Sequence, residues 1–244
     1  MSAAGLPDAG ALAARVAALD WPALQAALDA DGHALTPPLL DAGERAALAA
    51  LYDEPAHFRS RIVMARYRFG RGEYQYFGYP LPPPVQALRA AFYAGLQPLA
   101  ETWAQRLGVA DRYPPRHEDF IAACHAAGQR RPTPLLLRYG AGDYNCLHQD
   151  LYGARWFPLQ VVIQLSDPER DFAGGELLLV EQRPRQQSLG HVLRVPAGAA
   201  AILAVHERPL AGSRGWYRAR LRHGVSRVHA GQRHTLGIVL HDAA

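Results

Sequence analysis

His148, Asp150, His223, Arg233 and Thr235 have the types and spacing to hold a metal ion and a dicarboxylate together. His148 and Asp150 flank Gln149. In an extended backbone, residues i and i+2 face the same side, so an imidazole nitrogen and a carboxylate oxygen can converge on one point. An isolated HxD triplet is common and carries little alone. His223, in Arg222-His223-Gly224-Val225-Ser226, ends an expected strand much further along and offers a third ligand. Two histidines and a carboxylate on one face of an octahedron, with the remaining positions open, is the donor set of non-haem Fe(II) oxygenases. Beyond the Gly231 turn, Arg233 and Thr235 share one face of a strand while His234, Leu236 and Ile238 share the other. A buried arginine can grip a carboxylate bidentately, and a threonine hydroxyl can add a hydrogen bond. Zinc could take the same three ligands, but a hydrolytic zinc site does not need an inward Arg-x-Thr strand.

Other residues compete for these roles and lose. Arg227 lies inside the expected return turn after His223, so Arg233 is preferred as the anion holder. The remaining histidines (His33, His57, His117, His125, His191, His206, His229, His234 and His241) have no partner at ligand spacing or point away by strand parity. Cys124 and Cys146 form neither a CxxC zinc motif nor a disulfide framework, and both are expected as reduced, buried thiols. The net charge is +4 and the pI near 9.3. That balance invites a nucleic-acid partner. Yet every basic residue is arginine and alanine is abundant, which points to coding bias as readily as to phosphate contact.

The elements that must position these residues divide the chain in two. Residues from about Ala11 to Ala30 are Ala/Leu-rich with helical spacing, ended by Gly32 and Pro37-Pro38. Asp41 and Glu44 have the spacing of a capping box opening a helix toward Tyr52. After Pro84, the positions Val85, Leu88, Phe92, Leu96, Leu99, Trp103 and Leu107 form one apolar stripe up to Gly108, with Gly95 and Pro98 as candidate kinks. Phe58 to Tyr79, rich in Arg, Tyr and Phe, alternates like short strands or a hairpin. From Pro134 onward, short apolar strands separated by Gly, Pro and Asp turns predict an antiparallel sandwich or barrel. The expectation is a single domain over 1–244, with 1–110 mainly helical support and 130–244 the β core. Almost half the residues are apolar, which supports a packed core. The N-terminus lacks a basic, uninterrupted apolar leader, so no membrane span and a cytoplasmic location are expected.

HxD…H…RxT, with Gly174-Gly175-Glu176 and Val195-Pro196-Ala197-Gly198-Ala199 on intervening strands, resembles the Fe(II)/2-oxoglutarate dioxygenase superfamily. From about Phe58 to Ala244 the chain is more closely similar to a family of bacterial oxygenases described as acting oxidatively on alkylated DNA. The carrying elements are Tyr74-Gln75-Tyr76-Phe77, His148-Gln149-Asp150-Leu151-Tyr152-Gly153 and Leu221-Arg222-His223-Gly224-Val225-Ser226. The resemblance implies an α+β, mainly β fold: a double-stranded β-helix (a jelly-roll, cupin-like barrel) buttressed by N-terminal helices. It implies Fe(II), 2-oxoglutarate and O2, with His148, Asp150 and His223 on the metal and Arg233 and Thr235 on the distal carboxylate. Oxidative decarboxylation to succinate and CO2 would accompany hydroxylation of the substrate.

Tyr139 stands where such enzymes often place a polar contact to 2-oxoglutarate, although a half-buried tyrosine with its hydroxyl at the rim reads equally well. The Phe58–Tyr79 segment has two readings, a lid that stacks a base and contacts phosphate or an Arg-rich cover for the barrel mouth. The implied substrate is an alkylated base in single-stranded nucleic acid. The alternatives are a protein side chain, a small molecule, or a barrel that only senses 2-oxoglutarate.

Overall fold

The computed structural model describes residues 5–110, 112–213 and 215–244; residues 1–4, 111 and 214 lie outside the described residues. The helices begin where the chain supplies caps. Helix α1 (Ala9–Ala17) is capped by the Asp8 carboxylate on the amide of Ala11, and α2 (Trp21–Asp31) by Asp20 on the amide of Ala23. The helical reading of 11–30 therefore needs correcting: the chain breaks at 18–20, because Asp20 serves as a cap and Pro22 sits in the first turn of the second helix. Left-handed Gly32 ends α2 and leads into strand β1 (His33–Leu35). Asp41 and Glu44 form the reciprocal capping box of α3 (Ala42–Ala50), and a 3-10 turn follows over Leu51–Asp53.

Strands β2 (Phe58–Val63), β3 (Gly70–Arg71) and β4 (Glu73–Phe77) precede the long helix α4 (Pro83–Leu107). That helix runs through both Gly95 and Pro98. Gly95 is required there, because an added Cβ would lie 2.1 Å from the Trp21 ring. Its carbonyl accepts from Gln25 Nε2 at 2.9 Å. After α5 (His117–Ala126) come β5 (Leu135–Gly140), β6 (Tyr144–His148), β7 (Leu159–Gln164), β8 (Phe172–Gly174), β9 (Leu177–Gln182) and β10 (Leu189–Leu193). The last four are β11 (Ala200–Ala204), β12 (Glu207–Gly212), β13 (Gly215–Val225) and β14 (Val228–Val239).

Two antiparallel sheets face each other. The larger has the order β1-β11-β7-β14-β5-β4-β2, with β8 also paired to β14; the smaller has the order β10-β9-β13-β6-β3, with β12 also on β13. Chain-consecutive strands alternate between the sheets from β5 to β7 and again from β13 to β14, the winding of a double-stranded β-helix. The N-terminal 110 residues are thus more than helical support. They add β1 to one edge of the larger sheet and β2 and β4 to the other, and β3 joins the smaller sheet.

A large part of the main apolar cluster lies between the larger sheet and the helices. Leu136, Val161, Ile163, Leu236 and Ile238 point from the larger sheet toward α4 and its neighbours, where Leu88, Phe92, Leu96 and Trp103 meet them. Arg89 of α4 fastens this layer. It donates through Nε to the Val239 carbonyl at 3.0 Å and pairs with fully buried Asp242 at 2.8 Å. Asp242 also accepts from Tyr79 Oη and His125 Nε2, both at 2.8 Å. Among the described residues, no helix is long and apolar enough to cross a membrane.

Candidate metal and co-substrate site

The other faces of the same strands line a cavity of about 330 Å³ inside the barrel. Pairing of β6 with β13 sets His148 directly opposite His223, so both imidazoles project inward from neighbouring strands. A register shift between His223 and Val225 marks a bulge beside the pair. Their ring centroids are 4.3 Å apart. Asp150 follows just past the end of β6 and closes the triangle, with Oδ1 3.6 Å from His148 Nε2 and Oδ2 3.2 Å from His223 Nε2. Ligand atoms from all three residues lie within 4.8 Å of one another, the group with metal-holding geometry among the described residues.

Neighbouring groups prepare each ligand. The Nδ1–H of His148 donates to the Cys146 carbonyl at 2.8 Å, which leaves Nε2 to face the metal position. Burial, and then the proximity of His223, hold His148 below the ordinary histidine value and keep it neutral. Burial alone would raise Asp150. Hydrogen bonds with His223 and Tyr152 outweigh that, so it stays an ionised carboxylate. Tyr76 Oη donates to Tyr152 Oη at 3.1 Å, extending the chain of phenols from strand β4. Gln160, from β7, lies against the His223 imidazole with Nε2 to Nε2 at 3.1 Å.

Arg233 and Thr235 enter the cavity from β14, opposite Tyr139 and Leu137 of β5. Arg233 is 2% exposed, and its Nε and Nη1 are buried without a hydrogen-bond partner. Burial pushes the guanidinium down to about 10. Positive-φ Gly175 leaves room for it, since a Cβ there would stand 3.0 Å from Arg233 Cδ. Two partnerless donors on a buried cation fit the carboxylate of a dicarboxylate co-substrate. Gln160 Oε1 is another buried atom without a partner among the cavity residues. A divalent ion fits the two-histidine, one-carboxylate donor set, and iron is the metal for which that set is usual.

Tyr139 is wholly buried in the cavity wall and not half-exposed at a rim; its hydroxyl accepts from Asn145 Nδ2 at 3.4 Å. Its ring lies 5.5 Å from the Arg233 guanidinium. Arg227 instead turns outward onto Tyr144 and the Gly142 carbonyl. The His234 ring lies against Tyr52, on the opposite face from Arg233. Of the two thiols, Cys124 is buried but Cys146 is exposed. The expectation of two buried thiols fails at Cys146, which lies on an exposed stretch of β6 with Leu147. Sequence reasoning missed Tyr152, Tyr76 and Gln160. Tyr152 had a readable signal, as it lies two residues beyond Asp150; Gln160 had none, because its inward parity depends on the register of β7.

Fold and site are those of an Fe(II)/2-oxoglutarate-dependent oxygenase. The chain belongs to the Oxygenase-NA family, described as "Oxygenase, catalysing oxidative methylation of damaged DNA", which matches residues 72–243. It is 49% identical over 168 residues to the uncharacterized protein Rv2227 of Mycobacterium tuberculosis, covering 69% of this chain and 72% of that protein. Among solved structures its fold is similar to a Pseudomonas putida prolyl-4-hydroxylase, with a TM-score of 0.52 and 15% identity over 89% of this chain and 96% of that one. It is likewise similar to an oxidoreductase of the 2OG-Fe(II) oxygenase family from Burkholderia pseudomallei, with a TM-score of 0.52 and 18% identity over 92% and 93% of the two chains.

Proposed function

We propose that this oxygenase, acting as one domain, hydroxylates the alkyl group of a damaged base in single-stranded nucleic acid, consuming O2 and 2-oxoglutarate and releasing succinate and CO2. The observation that carries the chemistry is Arg233, a fully buried cation without a carboxylate, in the same cavity as the His148–Asp150–His223 triangle. The nucleobase substrate is supported by the family description.

In this reading His148, Asp150 and His223 hold Fe(II). Arg233 and Thr235 take the distal carboxylate of 2-oxoglutarate, and Tyr139 packs beside it. Bound Fe(II) supplies the activation of O2 that is coupled to decarboxylation of the co-substrate. The protein's own share is orientation and exclusion of water. Leu135, Leu137 and Val162 give the cavity apolar walls, while Tyr74 and Tyr76 of β4 cover it. Tyr152 holds the Asp150 carboxylate by one oxygen, leaving the other directed at the metal position. A cytoplasmic place of action belongs to the same proposal, in keeping with two free cysteines.

The test quantifies succinate after O2 is admitted to protein, Fe(II) and 2-oxoglutarate, with a methylated single-stranded oligonucleotide, an unmethylated one, or none. Succinate that rises only with the methylated strand, and is lost in Asp150→Ala, is the expected result. Turnover that ignores methylation would keep the oxygenase and move the substrate to a protein side chain or a metabolite. Binding of 2-oxoglutarate without turnover on any substrate would leave only a sensor.

A further inference from the structure

Most of the Phe58–Tyr79 segment is built into the barrel. β2 and β4 continue the larger sheet beside β5, and β3 pairs with β6 of the smaller sheet. One turn escapes this framework. Arg68 has the left-handed φ of 60°, and on either side of it Tyr67 and Phe69 are 54% and 49% exposed. The two rings stack on each other at 5.5 Å with planes 21° apart. Exposed aromatic rings of this size normally find cover in a protein without a partner at that face.

The turn is tied to the catalytic strand. The Phe69 carbonyl accepts from the Cys146 amide at 2.8 Å, two residues before His148. Arg68 and Phe69 line the mouth of the metal cavity, as does Leu147, itself exposed. Arg66, Arg68 and Arg71, close to the ring pair along the chain, are exposed. Among the described residues, none of these three arginines makes an ion pair, whereas Arg61 and Arg138 nearby are both neutralised by Glu73.

We infer that the Tyr67–Phe69 stack is a platform for the nucleotides flanking the base that enters the cavity, with Arg66, Arg68 and Arg71 on their phosphates. This rests on the nucleic-acid reading of the site and deepens it. An exposed ring offers its face to any base, which suits recognition of single strands without regard to sequence. Unneutralised guanidinium groups close to the rings along the chain supply the charge complement. Because the turn is fastened to β6, the distance from platform to metal is fixed, and the strand is threaded past the mouth in one position.

The experiment measures fluorescence anisotropy of a labelled, methylated single-stranded oligonucleotide with the Fe(II)- and 2-oxoglutarate-loaded protein under nitrogen, so that no turnover occurs. Tyr67→Ala and the Tyr67→Ala/Phe69→Ala pair are compared with wild type, and Tyr67→Trp serves as the conservative replacement. Melting temperature and 2-oxoglutarate affinity are followed in each to register any damage to the fold or cavity. Loss of stacking should weaken binding about tenfold or more in the double variant, with Tyr67→Trp near wild type. Arg66→Gln should lower the slope of log K against log salt by roughly 0.7, the value for one single-strand phosphate. If wild type binds the strand and the double variant binds it equally well, the platform is wrong and the nucleic-acid substrate stands. If wild type binds no oligonucleotide, both readings fall together.

Discussion

Strands β5, β7 and β14 have two faces, and buried arginines are treated differently on each side of them. On the helix-covered side, Arg89 has Asp242 at 2.8 Å; on the inner face of the smaller sheet, away from the cavity, Arg208 has Glu181 at 2.7 Å. Both pairs are about 1% exposed or less. Inside the barrel, Arg233 is just as buried, and two of its donors meet nothing. A buried charge left alone is among the costliest arrangements in a protein. The paired cations are therefore structural, and in the proposed function the unpaired Arg233 is kept for the carboxylate of the co-substrate. That difference, more than the triad by itself, supports the proposal that the cavity takes the co-substrate.

The comparison can be broken most decisively at the metal. Asp150→Ala removes the only carboxylate of the triangle and should abolish succinate formation, a loss beyond the roughly 10–100-fold typical of an outer hydrogen-bonding partner. Residual turnover within that range would mean that Asp150 is not a ligand.

Next come the two arginines, which should respond in opposite ways. Arg89→Leu leaves Asp242 buried without its cation and should cost about 3–5 kcal/mol in denaturant unfolding. Arg233→Leu removes an unpaired charge and should leave the ligand-free protein as stable as before or more so. The same substitution should cut 2-oxoglutarate affinity by about 2–5 kcal/mol, measured by calorimetry. Wild type should gain melting temperature on adding 2-oxoglutarate and the metal, and Arg233→Leu should gain little of it. If Arg233→Leu destabilises the free protein as much as Arg89→Leu does, the distinction drawn between the faces is wrong. Smaller again is Tyr152→Phe, which deletes the hydrogen bond to Asp150 and should lower metal affinity or activity about 10–100-fold while the fold persists.

Much of this contrast was readable in the sequence, for a physical reason. A strand alternates its faces strictly, so placing Arg233 and Thr235 together with His234 and Leu236 opposite requires only that the segment be extended. His148 and His223 were legible as a pair of types, but their direct opposition comes from the β6–β13 register, which no local pattern encodes. Capping at Asp41 and Glu44 is local chemistry and was visible. The break at Asp20 depends on the same chemistry and was hidden, because alanine and leucine continue the helical spacing on both sides. The cover strands were the hardest. Gly70 and Gly72 each need positive φ for close packing: a Cβ on Gly70 would lie 2.3 Å from the Tyr144 carbonyl oxygen, and one on Gly72 2.9 Å from the Tyr139 ring. Gly70 lets β3 lie against β6, and Gly72 lets the chain pass close to β5.

The smallest expected effect belongs to the outer shell and tests whether it is a matched, neutral layer. His117, on α5, is buried between Tyr93 and the end of the last strand, with its Nε2 donating to the Leu240 carbonyl at 2.9 Å. Burial, reinforced by the charge of Arg89, pushes it down to about 3 from the usual 6.5. A folded-state value below the unfolded one means that the unfolded chain binds the extra proton first. The stability His117 contributes is thus fully present above pH 6.5 and is lost as the pH falls from there toward 3, at up to about 1.4 kcal/mol per pH unit. His117→Gln can keep a donor to Leu240 without the titration. Its unfolding free energy should therefore fall less steeply than that of wild type between those limits. Equal slopes in urea titrations across that range would show that His117 already accepts a proton in the folded protein, and that the outer layer tolerates a charge the packing here is argued to exclude.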